Sequence, residues 1–445
     1  MSPANVLTAL ALHHKKYGPI YDIFAFSNRI VVIADVECIH DILLKRPKQY
    51  RRTEMMEPVA EAGQMKSSVL FSNGDLWNKL RRVTAPSFNR KCVESMSTCI
   101  LREVRSLVES LALKCEHESA SVNGREVLLG FTANVLCAVA IGTDLTASAK
   151  EYCRGSNLLS DLKIMIKLAS ERSALPIPAW LWKLTPLYYH YELPAREAVG
   201  RLRAVCLDII ASFEHKKNSG KERESKSLLE TLTILRADGQ GKLSEDEVLE
   251  NIMVYFIAGM DTTSVALSWV VYYLSLHPHV VARIRKEADA FFAALKTKEE
   301  SLTEENDLSH FLFEKVHSLE YCLAAFKESL RLSSPVSSLF MQSALDHSST
   351  ISSSVGEIQI NPRDMLLLHI DVLLKDPAIF PEPLTYRPER WIDSSLQEKQ
   401  NMERVFLNFG LGPRQCPGKY FSNLCFSNIV SVFENYKYLD FQFAL

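Results

Sequence analysis

Phe406-Leu407-Asn408-Phe409-Gly410-Leu411-Gly412-Pro413-Arg414-Gln415-Cys416-Pro417-Gly418-Lys419 is the most specific stretch in this 445-residue chain. Gly410, Gly412 and Pro413 shape a tight loop, and Cys416 stands just before a helix expected to begin at Pro417, a favoured first helical position. A cysteine there feels the positive end of the helix dipole, and loop N–H groups can point at its sulfur. Both effects favour the thiolate, the form that binds metals and attacks electrophiles. The bland alternative is a small buried hydrophobe in a glycine-rich turn. That reading suits the other nine cysteines (Cys38, Cys92, Cys99, Cys115, Cys137, Cys153, Cys206, Cys322 and Cys425). No two cysteines form a CxxC pair, which argues against a zinc site or a disulfide scaffold.

Upstream lies the most apolar segment, Ile252–Leu276. Ser244 and Glu247 before it have capping-box spacing, and His277-Pro278 supplies a stop. A helix from Glu245 to Leu276 would run about 48 Å. It is apolar nearly all round, so it is buried on every side or embedded in lipid. Its middle reads Ala258-Gly259-Met260-Asp261-Thr262-Thr263. An aspartate at mid-bilayer costs about 2.5–3.5 kcal/mol on insertion scales, which favours a local site inside a buried helix.

The whole chain is 47% apolar and 23% charged, with a net charge of -2. No bulk basicity points to nucleic acid. Length alone allows two or three domains. The polar stretches Glu214–Ser227 and Lys296–Asp307 read as surface loops rather than domain linkers, and no repeat is present. Two β-rich runs, Tyr21–Phe26 and Arg29–Ala34, form a plausible hairpin about Ser27-Asn28. Ser348–Ser354 reads as a low-complexity turn inside a β segment, and Met365–Ile370 as a further strand. The expectation is one unit over 1–445, mainly α with a small β region. The mildly apolar run before His13 is shorter than the roughly twenty residues a spanning helix needs, and lacks a basic n-region.

Two other pairs gain meaning only in company. Glu328 and Arg331 share a face of a helix expected over Tyr321–Leu332, and Trp77 and Arg81 are spaced i, i+4. Alone, each would be a surface pair or simple packing.

Together these segments resemble the cytochrome P-450 family. Phe409, Gly412, Arg414, Cys416 and Gly418 match its haem loop F-x-x-G-x-R-x-C-x-G without departure. Ala258–Thr263 resembles its A-G-x-D-T-T element, Glu328–Arg331 its E-x-x-R, and Trp77–Arg81 its W-x-x-x-R. Tyr386-Arg387-Pro388-Glu389-Arg390-Trp391 resembles F-x-P-E-R-F with other aromatics at its ends. The order along the chain is the family's order.

The resemblance implies a P-450 fold with a long central helix over haem b (iron protoporphyrin IX) and Cys416 as axial ligand of the iron. It places Phe409 near the sulfur and lets Gly412 bring backbone close. Arg414, Trp77 and Arg81 reach the haem propionates. Thr262 holds dioxygen and ordered water while Asp261 feeds protons, and Glu328, Arg331 and Arg390 make a buried ion triad. The implied reaction inserts one atom of O2 into an apolar substrate, with electrons from NADPH through a flavoprotein reductase. Lys79, Arg82, Lys91 and Lys419 are candidate docking charges for it. The implied protein is monomeric and, if a membrane anchor precedes this sequence, works at the cytosolic face of the endoplasmic reticulum membrane; the sequence as given shows no transmembrane segment. Parts of Val59–Val69, the surroundings of Phe256 and Thr263, and Val336–Leu339 are expected to line the pocket. Fatty acids, sterols, terpenoids and aromatic xenobiotics would all suit it, long-chain fatty acids being the first guess.

The sequence departs from the family in three places. Leu339-Phe340-Met341-Gln342-Ser343 lacks the base that often reaches a propionate from this strand. An N-terminal anchor is not seen before Lys16-Tyr17-Gly18-Pro19, and the chain ends at Phe441–Leu445 where a β-hairpin is expected. Two rival readings stay open: a haem-thiolate isomerase or dehydratase acting on hydroperoxides, and a non-catalytic haem-binding remnant.

Overall fold

A computed structural model describes residues 3–25, 28–117, 123–141, 146–154, 156–174, 179–218, 227–237, 243–299 and 305–435. The C-terminal residues 436–445, where the hairpin was expected, lie outside this range. The architecture is mainly helical with one small sheet. Six helices frame the site: α1 (Val36–Leu44), α2 (Gly74–Thr84), α3 (Gly124–Leu136), α4 (Glu245–Leu276), α5 (Glu320–Leu332) and α6 (Lys419–Asn435).

The expected capping box is formed at the start of α4. Ser244 Oγ accepts from Glu247 N, and Glu247 returns a carboxylate oxygen to Ser244 N at 2.8 Å. By length and composition α4 could cross a membrane, but here it packs against α3, α5 and the helix Leu193–Asn218. Ile252, Met253, Phe256 and Met260 are fully buried in the main helical core. A Cβ on Gly259 would stand 3.1 Å from both Cδ atoms of Leu136, so glycine lets α3 approach α4 closely.

The sheet has strands β1 (Ile20–Ala25), β2 (Asn28–Ile33), β3 (Tyr50–Arg51), β4 (Ser338–Ser343) and β7 (Met365–His369), in the order β1-β2-β7-β4-β3. Strands β2 and β7 run parallel, with Ile30 opposite Met365 and Ile33 opposite Leu368. Val31, Ile33, Leu366 and Leu368 pack on Ile39 and Ile42 of α1, while Ile30, Val32 and Leu367 pack on Leu10. Both faces are covered, which is why these strands read as unbroken apolar runs rather than alternating ones.

Several boundaries differ from the sequence reading. The polar stretch from Glu214 is helical as far as Asn218, and that from Lys296 as far as Glu299, with helix resuming at Glu305. Lys and Glu are good helix formers, so polarity alone does not mark a loop. Ser348–Ser354 is not a turn: Ser349–Ser353 is strand β5, paired with β6 (Gly356–Ile360), and Ile351 alternates into the core. The helix after the cysteine starts at Lys419 rather than Pro417. Pro417-Gly418 forms a turn, and Gly418 O accepts the first helical bond from Ser422 N at 2.8 Å.

Candidate active site

The cysteine loop is locked by its own backbone. Gly410 N donates to Leu407 O at 2.8 Å, Gln415 N to Gly412 O at 3.0 Å, and Cys416 N to Phe409 O at 2.8 Å. Gly410 (φ +70°) and Gly412 (φ +74°) both adopt left-handed backbone. A Cβ on Gly412 would lie only 2.6 Å from Leu43 O, so the loop rests directly on the last turn of α1.

Cys416 opens onto a cavity between this loop and α4, although protein surrounds it closely. Burial pushes its thiol above the ordinary value, opposed by a hydrogen bond from Gly418 N–H and by the nearby Arg81. Moving the helix start to Lys419 distances the dipole, and desolvation outweighs what remains. A coordinating metal would deprotonate the thiol outright.

From α4, Ala258, Gly259, Thr262 and Thr263 face the same cavity. Thr262 Oγ1 donates to Ala258 O at 2.6 Å. Its neighbour Asp261 is not among the lining residues. The Asp261 carboxylate turns to α3, where Arg125 Nη2 sits 3.0 Å from Oδ1. Nothing in Asn123-Gly124-Arg125 advertised this partner. Val69, Thr263, Val336 and Leu339 line the cavity as expected, but the rest of Val59–Val69 does not. Phe256 is fully buried in the helical core, and its neighbours Val254 and Tyr255 take the lining positions instead.

Four guanidiniums line the cavity (Arg46, Arg52, Arg81 and Arg414), and among the described residues no carboxylate does. The Arg414 guanidinium stacks over the buried Trp77 ring at 4.3 Å and donates to Ser72 O at 2.8 Å. Arg81 Nη2 donates to Gln415 O at 2.7 Å. Nε and Nη1 of Arg414, like Nε of Arg46 and Arg52, are buried without a protein partner. Burial, then repulsion by Arg46, Arg52 and Arg81, pushes Arg414 down to about 8. Burial and Arg52 take Arg46 to about 9, and burial takes Arg52 to about 10. Clustered buried cations with orphaned N–H groups call for an anion. A flat macrocycle bearing two carboxylates, with iron to meet a thiol, fits this donor set.

Behind the loop, Glu328 is the hub of a fully buried network. Arg331 holds it with Nε and Nη2, both at 2.9 Å, Arg390 Nε at 3.0 Å and Trp391 Nε1 at 2.9 Å. Arg331 and Arg390 also donate to the carbonyls of Pro383, Thr385, Pro381 and Glu382. The triad implied by the resemblance is formed, with Trp391 as an added member.

A family model described as cytochrome P-450 matches residues 3–437. The chain belongs to the cytochrome P-450 family. It is similar to cytochrome P-450 3A30 of Fundulus heteroclitus, with 23% identity over 437 residues, covering 95% of this chain and 81% of that protein. It is also similar to steroid 17-alpha-hydroxylase/17,20 lyase of Peromyscus leucopus, at 25% identity, covering 91% of this chain and 76% of that one. Carnosic acid synthase of Rosmarinus officinalis is 24% identical, with 92% and 78% covered. This cytochrome P-450 is accordingly an oxidoreductase of the monooxygenase kind with haem iron as cofactor. Its mainly α architecture with a small β region is the P-450 fold. Of the candidate docking charges, Arg82, Lys91 and Lys419 are exposed and Lys79 is half-buried.

Proposed function

We propose that this cytochrome P-450 is a single catalytic domain over 1–445 that hydroxylates or epoxidises a small apolar substrate. Electrons come from NADPH through a flavoprotein reductase. The observation that carries this reading is that Cys416 and Thr262 line one mainly apolar cavity that also holds four guanidiniums, three of which (Arg46, Arg52 and Arg414) keep buried N–H groups without a protein partner.

When bound, haem supplies the iron that activates dioxygen, and a thiolate ligand favours O–O cleavage. Cys416 gives up its proton on ligation, and Phe409 packs near its sulfur. Trp77, Arg81 and Arg414 orient the propionates, and Gly412 keeps the loop seated on Leu43. Thr262 Oγ1 has its proton directed at Ala258 O, so its lone pairs accept from an ordered water in the cavity. Asp261 carries the relay proton on its carboxylate and reaches that water by leaving Arg125.

Val69, Val254, Ala266, Val336 and Leu339 exclude water and admit apolar molecules, with long-chain fatty acids the first class to test. The reductase docks on the face carrying Lys419, Lys91, Arg82 and Lys79. The protein acts as a monomer at the cytosolic face of the endoplasmic reticulum membrane.

The decisive experiment is the reduced carbon monoxide spectrum. A thiolate-type band that Cys416→Ser abolishes is the expected result, and a histidine-type band would overturn the reading. Screening a lipid library for type I spectral shifts then identifies the substrate. Hydroperoxide turnover without NADPH consumption would instead mark an isomerase or dehydratase.

A further inference from the structure

Strand β4 carries no base between Leu339 and Ser343, yet the cavity beside it is more cationic than the expected residues account for. The extra charge comes from the chain around β3, which pairs with β4 through Tyr50 opposite Ser343 and Arg51 opposite Gln342. Arg46 lies in the turn between α1 and β3, and Arg52 immediately follows β3. Arg46 is 6% exposed, lines the cavity with Arg414, and leaves Nε buried without a partner. Its charge is felt by Arg414, and it feels that of Arg52. Three guanidiniums within each other's field, with no lining carboxylate among the described residues, repel one another and are held together by the surrounding packing and by bonds such as Arg414 to Ser72 O. They become favourable together once an anion joins them.

We propose that Arg46 anchors a haem propionate, supplying from the α1–β3 turn the cation that β4 does not carry. It is a positioning residue, and the inference rests on the reading that haem fills this cavity. A guanidinium suits the task because its planar N–H fork matches a carboxylate. The turn also places that fork on the same wall as Arg414, whose Nε and Nη1 await the same partner.

The test uses the haem-loaded protein as wild type, Arg46→Lys, Arg46→Met and Arg46→Glu, with exposed Arg102→Met as control. Haem transfer to excess apomyoglobin and the ferric/ferrous midpoint potential are measured for each. Loss of one charge-assisted contact predicts roughly tenfold faster haem loss in Arg46→Met. Arg46→Glu is faster still, Arg46→Lys falls between wild type and Arg46→Met, and the control matches wild type. The midpoint potential moves negative in the same order, since removing a nearby cation favours the ferric state. Two outcomes overturn the inference: a haem-loss series flat across the variants, or Arg46→Lys as fast as Arg46→Met with potentials unchanged, which marks packing alone. An effect confined to the affinity of carboxylate-bearing substrates overturns it too, by giving Arg46 a different anion. A wild-type protein without a thiolate-type carbon monoxide band would fail the haem reading itself. A normal band with a flat series fails only the role of Arg46.

Discussion

Asp261 Oδ1 is held 3.0 Å from Arg125 Nη2, across the contact between α4 and α3. The pair ties the acid of the Asp261-Thr262 element to a helix the cavity does not touch with its polar groups. Both side chains are partly exposed, so the bond can open without stripping a buried charge. Replacing Arg125 by leucine should free the carboxylate and change the proton supply while leaving the carbon monoxide spectrum intact. Asp261→Asn should lower turnover by about 10²-fold, the lower end of what a positioned acid or base contributes. Thr262→Ala should keep turnover of oxygen but lower product formed per NADPH. Solvent isotope effects on the three variants check the ordering. Equal isotope effects and coupling in wild type and Asp261→Asn would remove Asp261 from the relay.

Among the described residues, Glu328 is the one carboxylate that Arg331 and Arg390 share, and all three are buried to 3% exposure or less. Glu328→Gln keeps the shape but leaves two buried cations without a counter-charge. Removing one partner of a buried pair typically costs about 3–5 kcal/mol. The expected result is a sharply lower thermal midpoint and haem content, with activity per bound haem near wild type in whatever folds. Calorimetry with haem titration separates this structural role from a catalytic one.

How much of this was legible in the sequence depended on how local the determinants were. The cysteine loop, the Ser244–Glu247 box and the Glu328–Arg331 spacing are set by residues a few positions apart, and each was readable. The partner of Asp261 lies 136 positions away on α3, and no local pattern says which face of α3 meets α4. Arg46 and Arg52 look like ordinary surface charges in Lys45-Arg46-Pro47 and Tyr50-Arg51-Arg52. Their place on the cavity wall is set by the fold around them and not by those local stretches. The serines of 349–353 carry no clear local signal, because small polar residues suit a turn and an edge hairpin equally. Desolvation of Cys416, the largest effect on its thiol, depends on the cavity and has no local signature.

His369, at the end of β7, is fully buried, and neither ring nitrogen has a partner. Burial pushes it down to about 4, with Asp371 opposing and His14 and Lys375 reinforcing. The folded protein therefore keeps this ring neutral where the unfolded chain protonates it, near pH 6.5. Its contribution is fully present above pH 6.5 and falls away as pH drops towards 4, by about 3 kcal/mol in total. Denaturation midpoints measured across this window should fall less steeply in His369→Leu than in wild type. Parallel curves would show that the ring is not titrating there.

Gly410 and Gly412 share a left-handed backbone but not a neighbourhood, and substituting each with alanine separates strain from collision. At Gly410 the nearest atom to a new Cβ is Gln415 Cα at 3.8 Å, an ordinary contact. Gly410→Ala should therefore cost only the conformational penalty of a non-glycine residue at positive φ, about 1–2 kcal/mol. At Gly412 the same Cβ meets Leu43 O at 2.6 Å and Leu44 Cα at 3.3 Å, both backbone atoms that no rotamer change can move. Either α1 or the loop must shift, and Cys416 follows the loop through its bond to Phe409 O. Gly412→Ala should lose haem or its thiolate-type spectrum, while Gly410→Ala keeps both with a modestly lower thermal midpoint. Carbon monoxide difference spectra per unit protein distinguish the two, and equal haem loading would mean that the Leu43 contact yields more easily than packing of α1 suggests.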